Sequence, residues 1–233
     1  MFRFKQFVVR QQQCAMKVGT DGVLLGSWCR VPVEGRVLDV GTGTGLLALM
    51  VAQRSLKVDI TALEIDREAS LQAMENCQKS PWRERIKVLH TSLQEFGEMS
   101  ADRFDMVVCN PPYFDRSLRC PDKKRTTARH SETLSFDDLL HFSAVLLKKE
   151  GSLSVVLPEK ESEVFKDKAV DKGLFLCRQM NVLPTPEKDV KRRLMEFSFE
   201  KKELEVRNLV IETERHIYTE EYKNLTQDFY LNF

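Results

Sequence analysis

The chain has almost no net charge of either sign. Lys+Arg 36 stand against Asp+Glu 35 in 233 residues, a formal net charge of +1. A wholly basic protein that coats nucleic acid is thereby excluded, so any nucleic-acid contact must come from local patches. Long apolar runs are also missing. Stretches such as residues 22–28 are far too short to span a bilayer. Residues 1–10 alternate charge with Phe and Val, which is not the layout of a signal peptide. Zinc-ligand spacing is absent too. No two of the six cysteines, Cys14, Cys29, Cys77, Cys109, Cys120 and Cys177, lie two to four residues apart. The chain is too long to need a disulfide scaffold. Several of these cysteines sit in apolar runs, where Cys packs as a small hydrophobe. They read as reduced thiols of a cytoplasmic protein. Repeats and low-complexity stretches are lacking as well.

What is present is ordinary globular composition. Hydrophobic residues at 42% and charged residues at 30% argue against global disorder. The length suits one large domain or two small ones and can bury a core without staples. Short apolar runs alternate with helical segments. Strands are predicted at residues 36–41, 60–66, 86–90, 104–110 and 151–157. Helices are predicted at residues 46–54, 68–79, 136–147 and 159–172, with a short acidic helical turn after residue 90. Asp137 and Asp138 mark the first turn of one helix. Later strands are expected at residues 175–183, 195–199 and 209–212. This alternation indicates βαβ units and a mainly parallel sheet. The consecutive strands near the C-terminus suggest an antiparallel addition at one edge. Residues 116–133 and 184–193 are basic, lack periodicity and read as exposed loops, which on α/β scaffolds often carry function.

The run Val37-Leu38-Asp39-Val40 leads into Gly41-Thr42-Gly43-Thr44-Gly45 and then a helix. Alternate glycines allow a tight turn and a close approach of backbone to ligand. In a doubly wound sheet this turn lies at the carboxyl end of a strand, where ligands bind. The dinucleotide fingerprint fails because position 46 is Leu, and no Walker lysine follows. The spacing D-x-G-x-G-x-G instead resembles the first motif of Rossmann-like S-adenosylmethionine methyltransferases. Asp39, Gly41, Thr42, Gly43 and Gly45 are then candidate cofactor residues. Glu64, nineteen residues past Gly45 and followed by Ile65, ends the next strand. Its carboxylate can accept from both hydroxyls of a ribose.

A second motif follows the run Phe104-Asp105-Met106-Val107-Val108-Cys109. It is Asn110-Pro111-Pro112-Tyr113. This strand is expected beside the glycine-turn strand, which brings the tetrapeptide into the same cleft. The chemistry suits a planar nitrogen nucleophile. An exocyclic amine is weakly nucleophilic because its lone pair is delocalised. Two acceptors aimed at its two hydrogens, the Asn110 side-chain carbonyl and the Pro111 backbone carbonyl, draw that pair out. Proline fixes the backbone so the acceptors stay aimed, and Tyr113 offers a flat face for stacking. The tetrapeptide resembles that of amino-methyltransferases acting on adenine N6, cytosine N4 or a glutamine amide.

Three further regions are similar to a narrower group, the bacterial tRNA1(Val) adenine-37 N6-methyltransferases. They are Phe2-Arg3-Phe4-Lys5-Gln6-Phe7 with residues 16–28, Ala128-Arg129-His130, and a tail containing Tyr218, Tyr222, Asp228, Phe229 and Tyr230. The resemblance implies an α/β, Rossmann-like class I methyltransferase. Its mainly parallel seven-stranded sheet would have an antiparallel edge strand and helices on both faces. Residues 36–233 would form the methyltransferase domain and residues 1–35 an extension packed on it. The cofactor would be S-adenosylmethionine and the partner a tRNA, with no metal and no membrane. The protein would be a monomer or weak homodimer. The resemblance also implies that Lys17 and Thr20 line the cofactor's methionine end. Thr20 and Asp21 equally suit the cap of a helix carrying Leu24, Leu25 and Trp28. Lys123, Lys124, Arg125 and Arg129 form one basic cluster, and Lys188, Lys191, Arg192 and Arg193 another, positioned to hold RNA phosphates. His130 is a proton acceptor or a structural histidine. The acid that many methyltransferases place after the third strand, to accept from the cofactor adenine, is replaced here by Ser92, a weaker acceptor. The alternatives are a protein glutamine-amide methyltransferase, which usually carries a helical N-terminal domain, and a non-catalytic S-adenosylmethionine-binding module. DNA adenine methylation would call for a long target-recognition segment, and none is visible.

Overall fold

The computed structural model of the chain describes residues 1–12, 14, 17–112 and 134–232. Two short strands, β1 (Phe2–Arg3) and β2 (Val8–Val9), precede helix α1 (Thr20–Trp28). Then come β3 (Glu34–Val40), α2 (Leu46–Arg54), β4 (Lys57–Glu64), α3 (Arg67–Gln78), β5 (Ile86–His90) and α4 (Leu93–Met99). After β6 (Phe104–Cys109) the described chain resumes before α5 (Phe136–Leu146), β7 (Leu147–Pro158) and α6 (Glu159–Asp171). It ends with β8 (Phe175–Leu183), β9 (Arg192–Ser198), β10 (Glu205–Val210), a small hairpin of β11 (Glu212–Glu214) and β12 (Ile217–Tyr218), and α7 (Glu220–Thr226).

One sheet runs in the order β10-β8-β9-β7-β6-β3-β4-β5. Strands β5, β4, β3, β6 and β7 pair in parallel. The α/β class and the mainly parallel sheet are as expected, but two details differ. Among the described residues the sheet has eight strands, and the antiparallel strand is internal. Strand β9 runs antiparallel to both β7 and β8, and β10 adds outside β8 in parallel. The reason lies in the connections. The short link from β8 to β9, residues 184–191, folds straight back, which gives an antiparallel neighbour, and the next strand crosses over to the open side of β8.

The sheet is covered on both faces, so its central strands are apolar without alternation. Strand β6 shows this residue by residue. Met106 and Val108 join the core beneath α1 and α2, with Leu24, Leu25, Leu49 and Ile60. Val107 and Cys109 point the other way, to Leu139 and Leu140 of α5 and Phe165 of α6. The amino terminus and the tail share the first of these layers. Phe4 stacks on Phe7 with ring centroids 4.6 Å apart and on Tyr230 at 6.0 Å. The Lys5 N–H donates to the Phe229 carbonyl at 2.9 Å.

Two local expectations change. Gly19, not Thr20 or Asp21, is the N-cap of α1, and no side chain caps it. The Asp21 carboxylate instead accepts from Arg192 Nε at 2.8 Å. The basic stretch of residues 184–193 is not all loop, because Arg192 and Arg193 already lie in β9.

A buried ion pair fixes α1 to this part of the sheet. Arg178 Nη2 lies 2.8 Å from Glu196 Oε2, with side chains 12% and 5% exposed. The same guanidinium sits 3.8 Å over the Trp28 ring and donates to the Trp28 carbonyl at 3.1 Å. Removing one partner of a buried pair strands the other charge, at a cost of about 3–5 kcal/mol. Glu196→Ala is therefore expected to lose about 3 kcal/mol in urea unfolding, and a loss below 1 kcal/mol would contradict this role.

Candidate active site

The neighbours of β3 lie on opposite sides, β4 on one and β6 on the other. A cleft opens at the carboxyl ends of strands at such a switch point. The glycine turn closes the end of β3. Gly41, Gly43 and Gly45 take φ of 67°, 56° and 82°, values that L side chains rarely adopt. Their surroundings differ. A Cβ added at Gly41 or Gly43 would meet nothing within 4 Å, whereas one at Gly45 would meet Cys77 Sγ at 3.2 Å. The first two glycines keep the cleft wall open. Gly45 lets the turn pack against α3, so it shapes the site without facing it.

Four polar anchors hold the turn. The buried carboxyl of Asp39 accepts from Thr42 Oγ1 at 2.5 Å and from the Ala48 N–H at 3.1 Å. Burial pushes this carboxyl up to about 7, against the lowering effect of those two bonds and with Glu64 adding to the rise. Asp39 is thus a builder of the turn. Glu64 does two things at once: Oε2 accepts from the Gly43 N–H at 2.8 Å and Oε1 from the Asp66 N–H at 2.9 Å. Each carboxylate oxygen keeps a further lone pair for a ligand hydroxyl. The Thr42 N–H donates to the Leu63 carbonyl at 2.9 Å, which ties the turn to β4. Lastly, buried Asn76 donates from Nδ2 to the Thr44 and Arg10 carbonyls, each at 2.8 Å, and accepts from the Arg10 N–H at 2.9 Å. It joins the turn to the segment leading toward Lys17.

Two cavities meet at Gly41. The larger, about 650 Å³, is walled by Val40, Leu63, Ile65, His90, Leu93 and Leu134, with Ser92 and Glu95 at its polar side. The smaller, about 260 Å³, is lined by Lys17, Thr20, Gly22, Thr42, Gly43 and Asn110. The expected site residues therefore sort by place. Ile65 and Ser92 belong to the first cavity, while Lys17, Thr20 and Asn110 belong to the second. Asn110 Oδ1 is buried and has no hydrogen-bond partner among the described residues. Pro111 beside it is buried.

Ser92 serves the fold as well, its hydroxyl keeping one lone pair beyond its bonds to Glu95. It caps α4 in a reciprocal box with Glu95, accepting from the Glu95 N–H at 3.1 Å. In the second basic group Lys191 is exposed. Arg192 is paired with Asp21, and Arg193 with Glu159 at 3.4 Å and with Glu163. The last two charges serve the fold first. Tyr113, Cys120, Lys123, Lys124, Arg125, Arg129 and His130 lie outside the described residues. Among the described residues no group of three or more His, Cys, Asp or Glu is placed to hold a metal. No described helix is long and apolar enough to cross a membrane. Asn76 and Glu95 were missed by sequence reading. Only Glu95 carried a local signal, the Ser-x-x-Glu spacing of a capping box.

Residues 15–173 match the family model of the methyltransferase small domain. The crystal structure of a predicted O-methyltransferase from Agrobacterium tumefaciens superposes with a TM-score of 0.68 at 20% identity, over 90% of this chain and 96% of that one. Fold and site together define a class I methyltransferase, whose cofactor is S-adenosylmethionine. The residues fit that cofactor: open space over Gly41 and Gly43, and a carboxylate at the end of β4. A protein from Trichodesmium erythraeum named tRNA1(Val) (adenine(37)-N6)-methyltransferase is 47% identical over 234 residues, 100% of this chain and 98% of that protein. One of the same name from Bacteroides thetaiotaomicron is 48% identical over 232 residues, 99% and 97% of the two chains. The chain belongs to the tRNA1(Val) (adenine(37)-N6)-methyltransferase family.

The raised Asp39 carboxyl has a consequence for stability. Its folded value near 7 exceeds the ordinary 3.8, so between those values the native state holds the extra proton. Stability then falls as pH rises through that window, by about 1.4 kcal/mol per pH unit at most, and levels off above it. In Asp39→Asn the slope is absent. Urea unfolding at pH 5, 6, 7 and 8 should show wild type losing ground to the variant up to pH 7. Parallel profiles would contradict this.

Proposed function

We propose that the chain methylates the exocyclic N6 of an adenine in tRNA, adenine 37 in the anticodon loop of a valine tRNA. Its full-length relatives bear that activity in their names. The observation that carries the reading is Asn110 Oδ1, buried and without a partner at the end of β6. Burying such an acceptor unpaired costs about 1–3 kcal/mol, a cost that a substrate amine reverses by donating to it.

Bound S-adenosylmethionine supplies an electrophilic methyl carbon on a sulfonium. The chain's residues do the rest by position and charge. Asn110 and the Pro111 carbonyl accept the two amine hydrogens, and Pro112 holds that backbone rigid. Tyr113 offers a stacking face for the flipped base, which leaves an anticodon loop at lower cost than a duplex. Glu64 holds the ribose, and Lys17 and Thr20 hold the amino-acid end. Lys123, Lys124, Arg125, Arg129 and His130 are assigned to the RNA side, and so is Lys191. Residues 36–233 form the methyltransferase domain and residues 1–35 its extension. The protein acts in the cytoplasm as a monomer or weak homodimer.

Incubation with unmodified total tRNA, followed by nucleoside mass spectrometry, tests this reading. N6-methyladenosine is expected at position 37 of the valine isoacceptor. Asn110→Ala should lose at least about a hundredfold in rate while cofactor affinity stays within a few-fold. Methyl label on protein glutamine, with none on RNA, would overturn it.

A further inference from the structure

The amino-terminal extension and the glycine turn meet on one side chain. Asn76, on α3, is 2% exposed. It stands outside the described lining of both cavities at Gly41. Its amide is nonetheless fully used. The two hydrogens of Nδ2 go to main-chain carbonyls, Thr44 in the turn and Arg10 in the extension, each at 2.8 Å. Oδ1 accepts from the Arg10 N–H at 2.9 Å. Arg10 is thus held through its N–H and its carbonyl together, which fixes its orientation as well as its place. Among side chains of this size only an amide can donate twice and also accept.

The residue after Arg10 carries the constraint onward. Gln11 Oε1 accepts from the Val18 N–H at 2.8 Å. Val18 stands between Lys17 and Gly19, the N-cap of α1, and Thr20 follows as the first residue of that helix. Asn76 therefore reaches Lys17 and Thr20 by two short links, Asn76 to Arg10 and Gln11 to Val18. A competing anchor is weak. The Arg10 guanidinium lies 2.8 Å from Glu75, but those side chains are 48% and 38% exposed, and ion pairs so exposed contribute little. The hold on the extension falls to the buried amide.

We propose that Asn76 is a positioning residue for the amino-acid end of the cofactor, fastening the extension to the glycine turn so that Lys17 and Thr20 stand at the smaller cavity. It touches no part of the ligand and acts through Arg10 and Gln11. The inference rests on the roles proposed for Lys17 and Thr20 and is independent of which substrate is methylated.

Calorimetry on the full chain with two ligands tests it: S-adenosylhomocysteine, and 5′-methylthioadenosine, which keeps the nucleoside and lacks the amino-acid end. Asn76→Ala should bind S-adenosylhomocysteine about tenfold or more weakly than wild type, and 5′-methylthioadenosine within about twofold of it. Gln11→Ala removes the second link at a partly exposed position. It should keep the melting temperature and show the same selective loss, about threefold or more, and it carries the test if Asn76→Ala does not fold. Equal losses for both ligands would make Asn76 a prop of the fold alone and overturn the proposal. Unchanged affinity for S-adenosylhomocysteine in either folded variant would do the same. The double variant Lys17→Ala, Thr20→Val separates the proposal from the reading beneath it. A selective loss of S-adenosylhomocysteine is expected there too, and binding as in wild type would remove the assignment of Lys17 and Thr20 and the proposal with it.

Discussion

The carboxylate of Glu64 joins the two halves of the site. One oxygen holds the Gly43 N–H, 21 positions earlier in the chain, and the other holds the Asp66 N–H that begins the next helix. A turn with three residues at positive φ has few internal constraints of its own. Fastened to Glu64 on one side, to Asp39 beneath and to Asn76 behind, it keeps a single shape. The residue proposed to receive the ribose is thus also the residue that fastens the wall beside it. Cofactor binding and the geometry of the turn cannot be separated by mutating Glu64.

The sheet order turns this local device into an active site. Because β4 and β6 flank β3, the glycine turn, Glu64 and Asn110 emerge at one edge although they are far apart in sequence. Helix α1 covers the smaller cavity and is held by partners at both ends. Asp21 pairs with Arg192 near its start, and Trp28 packs under Arg178 at its finish. Much of the basic character of residues 184–193 is absorbed in this way.

The strands with continuous apolar runs were legible in the sequence, and so were the helices between them. Helix α2 and strands β5 and β8 fall at the expected bounds, where apolar runs are bracketed by charged or turn residues. All eight strands left a trace in the sequence, the last only as residues 209–212 at the end of β10, but that they share one sheet and that β9 lies inside it were not legible. Strand order in the C-terminal third depends on which side of β8 the chain crosses, and no local pattern records that. The same divide runs through the site. Glycines at alternate positions announced the turn, and Asn-Pro-Pro-Tyr announced the acceptor. That Gly45 packs on Cys77 while Gly41 faces the cleft depends on where α3 lies. Asn76 was invisible for the same reason: a single asparagine on a helix means nothing until two carbonyls from distant segments converge on it. Ser92, expected at the cofactor adenine, lines that cavity and also caps α4, a second role that the Ser-x-x-Glu spacing carries.

The dual service of Glu64 is tested most directly by the affinity of Glu64→Gln for S-adenosylhomocysteine. The amide keeps the size of the side chain but turns an NH2 toward one of two N–H donors. It also weakens the acceptor offered to the ribose. Calorimetry should show binding about ten- to a hundredfold weaker than wild type, in a protein that still unfolds cooperatively. Unchanged affinity would mean that neither the turn nor the cofactor depends on this carboxylate.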